Sequence, residues 1–114
     1  MRHEEIFKQA QKSFNSGDYF EAHELLEDIW QDIRLNDPEN PELNSLQALI
    51  QLAVSLHLLT QNRIIGAQKV LERARKNMQK SSSVYNSVDL ELLYQKIIRF
   101  FDNSDPFDMA NVKI

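Results

Sequence analysis

Apolar residues recur every three or four positions along most of this chain, which is the spacing of amphipathic α-helices. The third apolar segment is apolar on nearly all sides, so we expect it at the centre of the fold. The predicted fold class is all-α: a single-domain bundle of about five helices, spanning residues 1–114 and built on two antiparallel helix hairpins. The five helices are predicted over about residues 3–16, 18–34, 41–61, 63–79 and 87–101.

Turn and capping residues indicate where the first three helices begin and end. Gly17 can adopt the positive φ that closes a helix, since it has no side chain to clash. Asp18 is then a suitable cap for the second helix, with Glu21 three residues later completing a capping box. Asn40 followed by Pro41 is typical of a helix start, and it predicts the beginning of the third helix.

In the C-terminal third of the chain, turn and capping residues mark the helix ends less clearly. A polar loop is predicted over Lys80–Ser83, and Ser87 is the expected cap of the fifth helix. The hydrophobic pattern weakens after Asp102. We therefore expect residues 102–114 to form a loose tail or to dock on the bundle through Phe107 and Met109.

The chain also shows an internal similarity at an offset of about 45 residues. This offset places Gly17 on Asn62 and Ala22 on Ala67. Gly and Asn are the two residues that best tolerate the left-handed conformation at a helix C-terminus. The similarity therefore predicts a repeated helix hairpin in which small alanines let the paired helices approach closely.

Composition narrows the functional classes. The chain has no cysteine and only two glycines, which excludes disulfides and thiolate metal sites and disfavours a phosphate-binding loop. The N-terminal residues lack the apolar stretch of a signal peptide, so we expect a cytoplasmic protein. The longest apolar stretch, Leu46–Leu59, has 14 residues and contains polar side chains. It predicts a buried helix too short to span a membrane, and no membrane partner is expected.

Charge is distributed unevenly. Nine acids lie between residues 18 and 42 against Arg34 alone, whereas residues 63–80 carry six basic side chains against Glu72. Such a division predicts neutralisation between neighbouring helices or between subunits. The basic side chains on the fourth helix include a row at helical spacing, with no aromatic residues between them for base stacking. We interpret this row as a solvated face and expect no nucleic-acid partner. It consists of Lys69, Arg73, Lys76 and Lys80.

One edge of the second helix carries the candidate chemistry. At 100° per residue, His23, Glu27 and Trp30 share an edge beside the apolar stripe. The segment His23–Glu27 is similar to a zinc-protease helix, but Glu27 stands where that motif needs a second histidine. A metal would need a third ligand, for which His57 is the available nitrogen donor. The candidate polar cluster or pocket consists of Tyr19, His23, Glu27, Trp30, Gln51 and His57.

Two interpretations of this edge remain open. In the structural one, His23 and Glu27 hydrogen-bond each other or Gln51 on the third helix, and Glu27→Ala would lower stability by about 1–3 kcal/mol. In the functional one, the cluster forms a pocket for a polar ligand or a metal held by His23, Glu27 and His57, with Trp30 and Tyr19 as walls. His57 falls among apolar positions and is expected to be a satisfied core histidine. No cofactor is predicted.

A set of spaced residues resembles one known family. The set comprises Tyr19, Ala22, His23, Glu24, Glu27, Trp30, Leu49, Ile50, Gln51, Asn62, Gly66 and Ala67. It resembles the helical family named domain of unknown function 309, over roughly residues 5–80. The chain departs from that pattern at Gln61, where the family usually has a glycine before the asparagine. The resemblance implies an all-helical bundle and brings no activity with it.

These observations favour a binding role. We predict a protein-interaction or scaffold module with a buried polar cluster, acting through a protein partner or through self-association. The alternative is a metal- or small-ligand-binding protein, including a metal-dependent hydrolase, that uses His23 and Glu27. No catalytic residues are assigned, because the sequence contains no complete nucleophilic or phosphate-binding motif.

Overall fold

Five helices and one short β-hairpin make up the regular structure of residues 2–103 and 112–114, which are the residues that the computed structural model describes. The predicted all-α bundle is confirmed. The elements, in chain order, are α1 (His3–Asn15), α2 (Tyr19–Asn36), α3 (Leu43–Thr60), α4 (Ile64–Lys80), β1 (Val84–Tyr85), β2 (Val88–Asp89) and α5 (Leu90–Asn103).

Two tight turns join the helices into the hairpins α1–α2 and α3–α4. Gly17 and Asn62 both adopt the left-handed conformation, with φ of 92° and 60°. In the first turn the Asp18 N–H donates to the Ser13 carbonyl at 2.8 Å. The second turn has the equivalent bond, from the Arg63 N–H to a carbonyl five residues earlier, at 2.9 Å. These bonds satisfy the carbonyls that a helix end leaves free. The predicted cap is also present, since Asp18 accepts from the Glu21 N–H at 3.1 Å.

Helix α3 lies at the centre of the bundle, as its apolar sequence predicts. It packs against α2 and α4 and also contacts α5 and β1. The expectation that it is too short to cross a membrane was wrong on length, because the whole helix has 18 residues with a mean hydropathy of 1.3. However, 56% of it is buried inside the bundle, and core helices also have this length and composition. Its buried side chains include Leu46, Leu49, Leu52, Ala53 and Leu56.

A β-hairpin occupies residues 84–89, where the sequence predicted only a loop and a helix cap at Ser87. Val84 pairs with Asp89, and Tyr85 with Val88, in an antiparallel register. Ser87 lies in the turn, where it and the preceding asparagine have φ of 67° and 48°. Positive φ at both central positions is the geometry of a type I′ hairpin turn. Asp89, and not Ser87, caps α5, because the Asp89 side chain accepts a hydrogen bond from the Leu92 N–H at 3.0 Å.

The start of α3 also differs from the prediction. The helix begins at Leu43 rather than at Pro41, and the Asn40 side chain accepts from the Glu42 N–H at 2.8 Å. Asn40 therefore closes a turn that precedes the helix, because its short side chain reaches a backbone N–H two residues ahead.

The last residues of the chain return to the C-terminal end of α1. The Ile114 N–H donates to the Asn15 side chain at 2.7 Å, and Val112 is buried. Phe107 and Met109, the predicted docking residues, lie outside the described residues.

Candidate functional site

Three helices border an open groove in the middle of the bundle, which we call the central groove. Helix α3 forms its floor, and α2 and α4 form its walls. Its volume is about 340 Å³. Three of the predicted site residues, Glu27, Trp30 and Gln51, line it. The full lining is Glu27, Trp30, Gln31, Gln47, Ile50, Gln51, Val54, Val70 and Arg73.

Trp30 is held in a fixed orientation at the α2 wall. Its indole N–H donates to the Leu43 carbonyl at the start of α3, at 3.1 Å. The Arg34 guanidinium lies over the ring, 5.4 Å from its centroid. The hydrogen bond satisfies the polar edge of the indole, while the apolar body of the ring faces the groove.

Gln51 joins the floor of the groove to the α4 wall. Its side-chain oxygen accepts from the Asn77 amide at 2.8 Å, and Asn77 is 8% exposed. The structural interpretation expected Gln51 to bond His23 or Glu27. Its partner is instead on α4, because Asn77 faces α3 from the buried side of that helix. Buried amides need such partners, and this pair fixes how α3 and α4 meet.

His23 and Glu27 approach each other on the surface of α2. The His23 Nε2 lies 3.9 Å from a Glu27 carboxylate oxygen, with the side chains 16% and 46% exposed. The other ring nitrogen, Nδ1, is hydrogen-bonded to the Phe20 carbonyl. Because a carbonyl oxygen only accepts, Nδ1 carries the proton and donates the hydrogen bond. A strong pair with Glu27 therefore requires a proton on both nitrogens. Glu27 is half exposed and satisfies no buried donor among the residues that the structure describes.

Phe20 lies between the two histidines that the sequence singled out. Its ring centroid is 4.9 Å from that of His23 and 5.2 Å from that of His57. Phe20 itself is 49% exposed. The prediction of a core position for His57 was wrong, because its imidazole is only partly buried and packs on this exposed phenyl ring.

Tyr19 belongs to the core instead of a pocket wall. It is 1% exposed and packs edge to face on Phe14, with ring centroids 5.0 Å apart. Its hydroxyl has no hydrogen-bond partner among the described residues. Burial raises the pKa of Tyr19, because the charged phenolate is disfavoured away from water.

The predicted cluster is therefore divided into three places. Glu27, Trp30 and Gln51 line the central groove, His23 and His57 flank Phe20, and Tyr19 is in the core. No group of three or more His, Asp or Glu side chains suited to a metal occurs within residues 2–103 and 112–114. The metal interpretation retains two neighbouring ligands, His23 and Glu27.

The predicted cluster omitted six of the nine residues that line the groove, among them Val70 and Arg73 of α4. Arg73 was visible only as part of the basic row, and Val70 only as an apolar position of α4. The ion pairs found in the described part of the chain include none between α2 and α4. Within the described residues the acidic α2 and the basic α4 therefore do not neutralise each other through ion pairs, since α3 lies between them, and neutralisation between subunits stays a prediction.

A second cavity, of about 480 Å³, lies between α1 and the β-hairpin. His3 at its edge bonds Asp32 of α2 at 2.6 Å. None of the predicted site residues lines it. Its lining consists of His3, Glu4, Phe7, Lys8, Gln11, Ile33, Glu42, Tyr85 and Asn86.

Comparison with known proteins gives one family and one curated relative. The family described as Domain of unknown function (DUF309) matches residues 7–70, from α1 into α4. An uncharacterized protein of Aquifex aeolicus (strain VF5) is 28% identical over 90 residues, which are 78% of this chain and 26% of that protein. The chain thus spans about a quarter of the length of the curated relative that it matches. No solved structure matches.

Proposed function

This chain belongs to the domain of unknown function 309 family, whose name assigns no activity, and we propose that it is a protein-interaction module whose central groove binds a helical segment of a partner. The observation that carries the proposal is the position of Trp30, an aromatic side chain that is fixed by a hydrogen bond to Leu43 and lies partly buried in the wall of an open groove. Fixed aromatic side chains beside apolar pockets are typical anchors of protein interfaces.

The shape and lining of the groove support this role. Apolar side chains from all three helices meet there, with Ile50 and Val54 on the floor and Val70 opposite Trp30. Amide side chains of Gln31 and Gln47 stand at its polar margin. An apolar floor with a polar rim suits the apolar stripe of an amphipathic helix.

The Aquifex relative also supports a module that works beside other protein segments. The matched region makes up 26% of that protein, so most of that chain lies outside the similarity. A helical domain carried within a longer chain suits a binding role.

Photo-crosslinking inside the cells that synthesise the protein tests the proposal. Gln31 lines the groove and is exposed, so benzoylphenylalanine at this position would contact a bound partner. The same group at Gln9, exposed on α1, is the matched control. We expect a discrete adduct from position 31 alone, lost when Val54→Arg fills the groove. The crosslinked segment, identified by mass spectrometry and synthesised, should then change the fluorescence of Trp30, the single tryptophan of the chain. Equal adducts at both positions, or none at either, would contradict the proposal.

A metal- or ligand-binding role at His23 and Glu27 is the second candidate. It is favoured by their 3.9 Å approach, which gives two of the ligands that a catalytic zinc requires. Elemental analysis of untagged protein tests it: stoichiometric metal, lost in both His23→Ala and Glu27→Ala, would support this role over the interaction module.

A further inference from the structure

From the charges beside the central groove, we infer that its occupant is an amphipathic helix with acidic residues along the flank that lies on α4. The inference rests on the proposed function and adds the chemistry of the partner. It follows from three observations: a row of basic side chains on α4, the absence of ion pairs to this row from any residue that the structure describes, and a carboxylate in the α2 lining of the groove.

The basic row lies on the exposed face of α4 and meets the groove at Arg73. Arg73 lines the groove itself, and all four members are exposed. They recur at helical spacing, so they form a continuous strip alongside the bound segment. None of them forms an ion pair with a residue in the described ranges. The row consists of Lys69, Arg73, Lys76 and Lys80.

The charged α2 residue in the groove lining is acidic, whereas the Arg34 guanidinium lies outside this lining, over the Trp30 ring. Glu27 lines the groove from α2, and Glu24 is exposed one turn earlier. Helices α2 and α4 run in the same direction, because each is antiparallel to α3. Phe20 meets His57 whereas Trp30 bonds Leu43, so α2 and α3 are antiparallel, and the tight turn at Asn62 reverses the chain between α3 and α4. A bound helix therefore has one flank beside cations and the other beside carboxylates. Acidic side chains are attracted on the α4 side and repelled on the α2 side, which sets both the partner's composition and its direction.

The apolar lining favours a peptide over a nucleic acid. The side chains of Ile50, Val54 and Val70 offer no hydrogen bonds to bases or sugars, and among the described residues that line the groove Trp30 is the only aromatic one. Nucleic-acid sites combine basic grooves with several stacking rings. A polyanion could reach the basic row without entering the groove, so the two cases can be separated by experiment.

Titration of the full chain with synthetic peptides tests the inference. Four tryptophan-free 20-residue peptides would be used, so that emission reports Trp30 alone. Three share one leucine stripe and differ only in one flank, which carries glutamate, glutamine or lysine. The fourth is the glutamate peptide with serine in place of the leucines. We expect the glutamate peptide to bind about tenfold more tightly than the glutamine peptide at low salt, the lysine peptide to bind most weakly, and the differences to shrink as salt screens them.

A matched pair of charge reversals locates the effect. Arg73→Glu should weaken the affinity for the glutamate peptide by about tenfold and leave the affinity for the glutamine peptide unchanged. Arg99→Glu, the same change on an exposed position of α5, should change neither. Both variants alter exposed side chains, so far-UV circular dichroism should show an intact fold.

The outcomes distinguish the inference from the proposed function. Equal binding of the three leucine peptides would overturn the inference and leave the interaction module standing. No binding by any peptide would count against the groove as an interaction site. Equal binding of the serine peptide, or displacement by a single-stranded oligonucleotide, would overturn the inference in favour of a polyanion surface. Sedimentation showing a dimer that excludes the peptides would overturn it in favour of a second copy as occupant.

Discussion

The indole nitrogen of Trp30 donates a hydrogen bond to the backbone carbonyl of Leu43, at 3.1 Å, and so joins α2 to the first residue of α3. This bond fixes the aromatic wall of the central groove before any partner arrives. Preorganisation of this kind reduces the ordering that binding must impose. The bond also makes Trp30 contribute to the free energy of unfolding. This structural role can therefore be measured without a partner, separately from the proposed role in binding.

Trp30→Phe removes this donor and the larger ring on which Arg34 lies. The variant loses the indole hydrogen bond to Leu43 and part of the ring's packing, while the Leu43 carbonyl keeps its bond within α3, so we expect the free energy of unfolding to fall by about 1–3 kcal/mol. Urea titration followed by circular dichroism measures this, because the variant has no tryptophan. Leu35→Ala, at a residue 83% exposed, should change stability by less than about 0.5 kcal/mol. Equal stability of Trp30→Phe and the parent would contradict the structural role.

Asn77→Ala and Glu27→Ala compare a buried with an exposed polar group. Loss of the Asn77 amide leaves the Gln51 oxygen unpaired between α3 and α4, so we expect a loss of about 1–3 kcal/mol. Glu27 is 46% exposed and only distantly paired, so its removal should change stability by less than about 0.5 kcal/mol. This revises the larger effect that the sequence predicts for Glu27. The reverse order in thermal unfolding would restore the structural interpretation of the His23–Glu27 pair.

Tyr19→Phe removes a buried hydroxyl that has no partner in the described structure. Since an unsatisfied polar group opposes folding, the variant should be as stable as the parent or more stable. Tyr94→Phe is the matched control, because the Tyr94 hydroxyl accepts from Arg75 at 3.5 Å. We expect this control to lower stability by about 0.5 kcal/mol. A clear loss for Tyr19→Phe in the same thermal melts would indicate that a bound water satisfies its hydroxyl.

Tyr85 makes stability depend on alkaline pH. Burial, reinforced by the Glu42 carboxylate, raises the pKa of Tyr85 to about 12. Between pH 10 and pH 12 the unfolded chain loses this proton while the folded protein retains it, so stability falls as the pH rises, by roughly 1.4 kcal/mol per pH unit. Below pH 10 this contribution is complete and constant. Urea midpoints across this range should fall less steeply for Tyr85→Phe, and identical slopes would rule the effect out.

Gly17→Ala tests the turn between α1 and α2. No atom lies within 4 Å of an added Cβ, so any effect comes from the backbone, which has a φ of 92°. We expect a loss of about 1–2 kcal/mol. Asn62→Gly relieves the equivalent strain in the second turn, so it should leave stability unchanged or raise it. Differential scanning calorimetry measures the stability of both variants. An unchanged unfolding temperature for Gly17→Ala would contradict the prediction.

The sequence predicted those features that depend on neighbouring residues. The turn at Gly17, the cap at Asp18 and the central position of α3 follow from local chemistry and helical spacing. The β-hairpin was missed because it depends on Asn86 and Ser87 both entering the left-handed region, where serine is uncommon.

The candidate site was predicted only in part, for a different reason. Helical spacing placed Trp30 and Glu27 on one edge of α2, and the groove indeed contains both. Spacing within one helix cannot say which other helix faces that edge. The partnership of Gln51 with Asn77, 26 residues apart, and the position of Arg73 across the groove depend on how three helices pack.

The bond between Ile114 and Asn15 spans 99 residues, whereas the two tight turns join helices that are adjacent in sequence. Folding rates fall as contacts become more distant in sequence, because loops must close before distant contacts form. The hairpins α1–α2 and α3–α4 should therefore nucleate quickly, and capture of the C-terminus by α1 should be the slowest step. The central groove, which α2, α3 and α4 build, therefore assembles before residues 112–114 dock on α1.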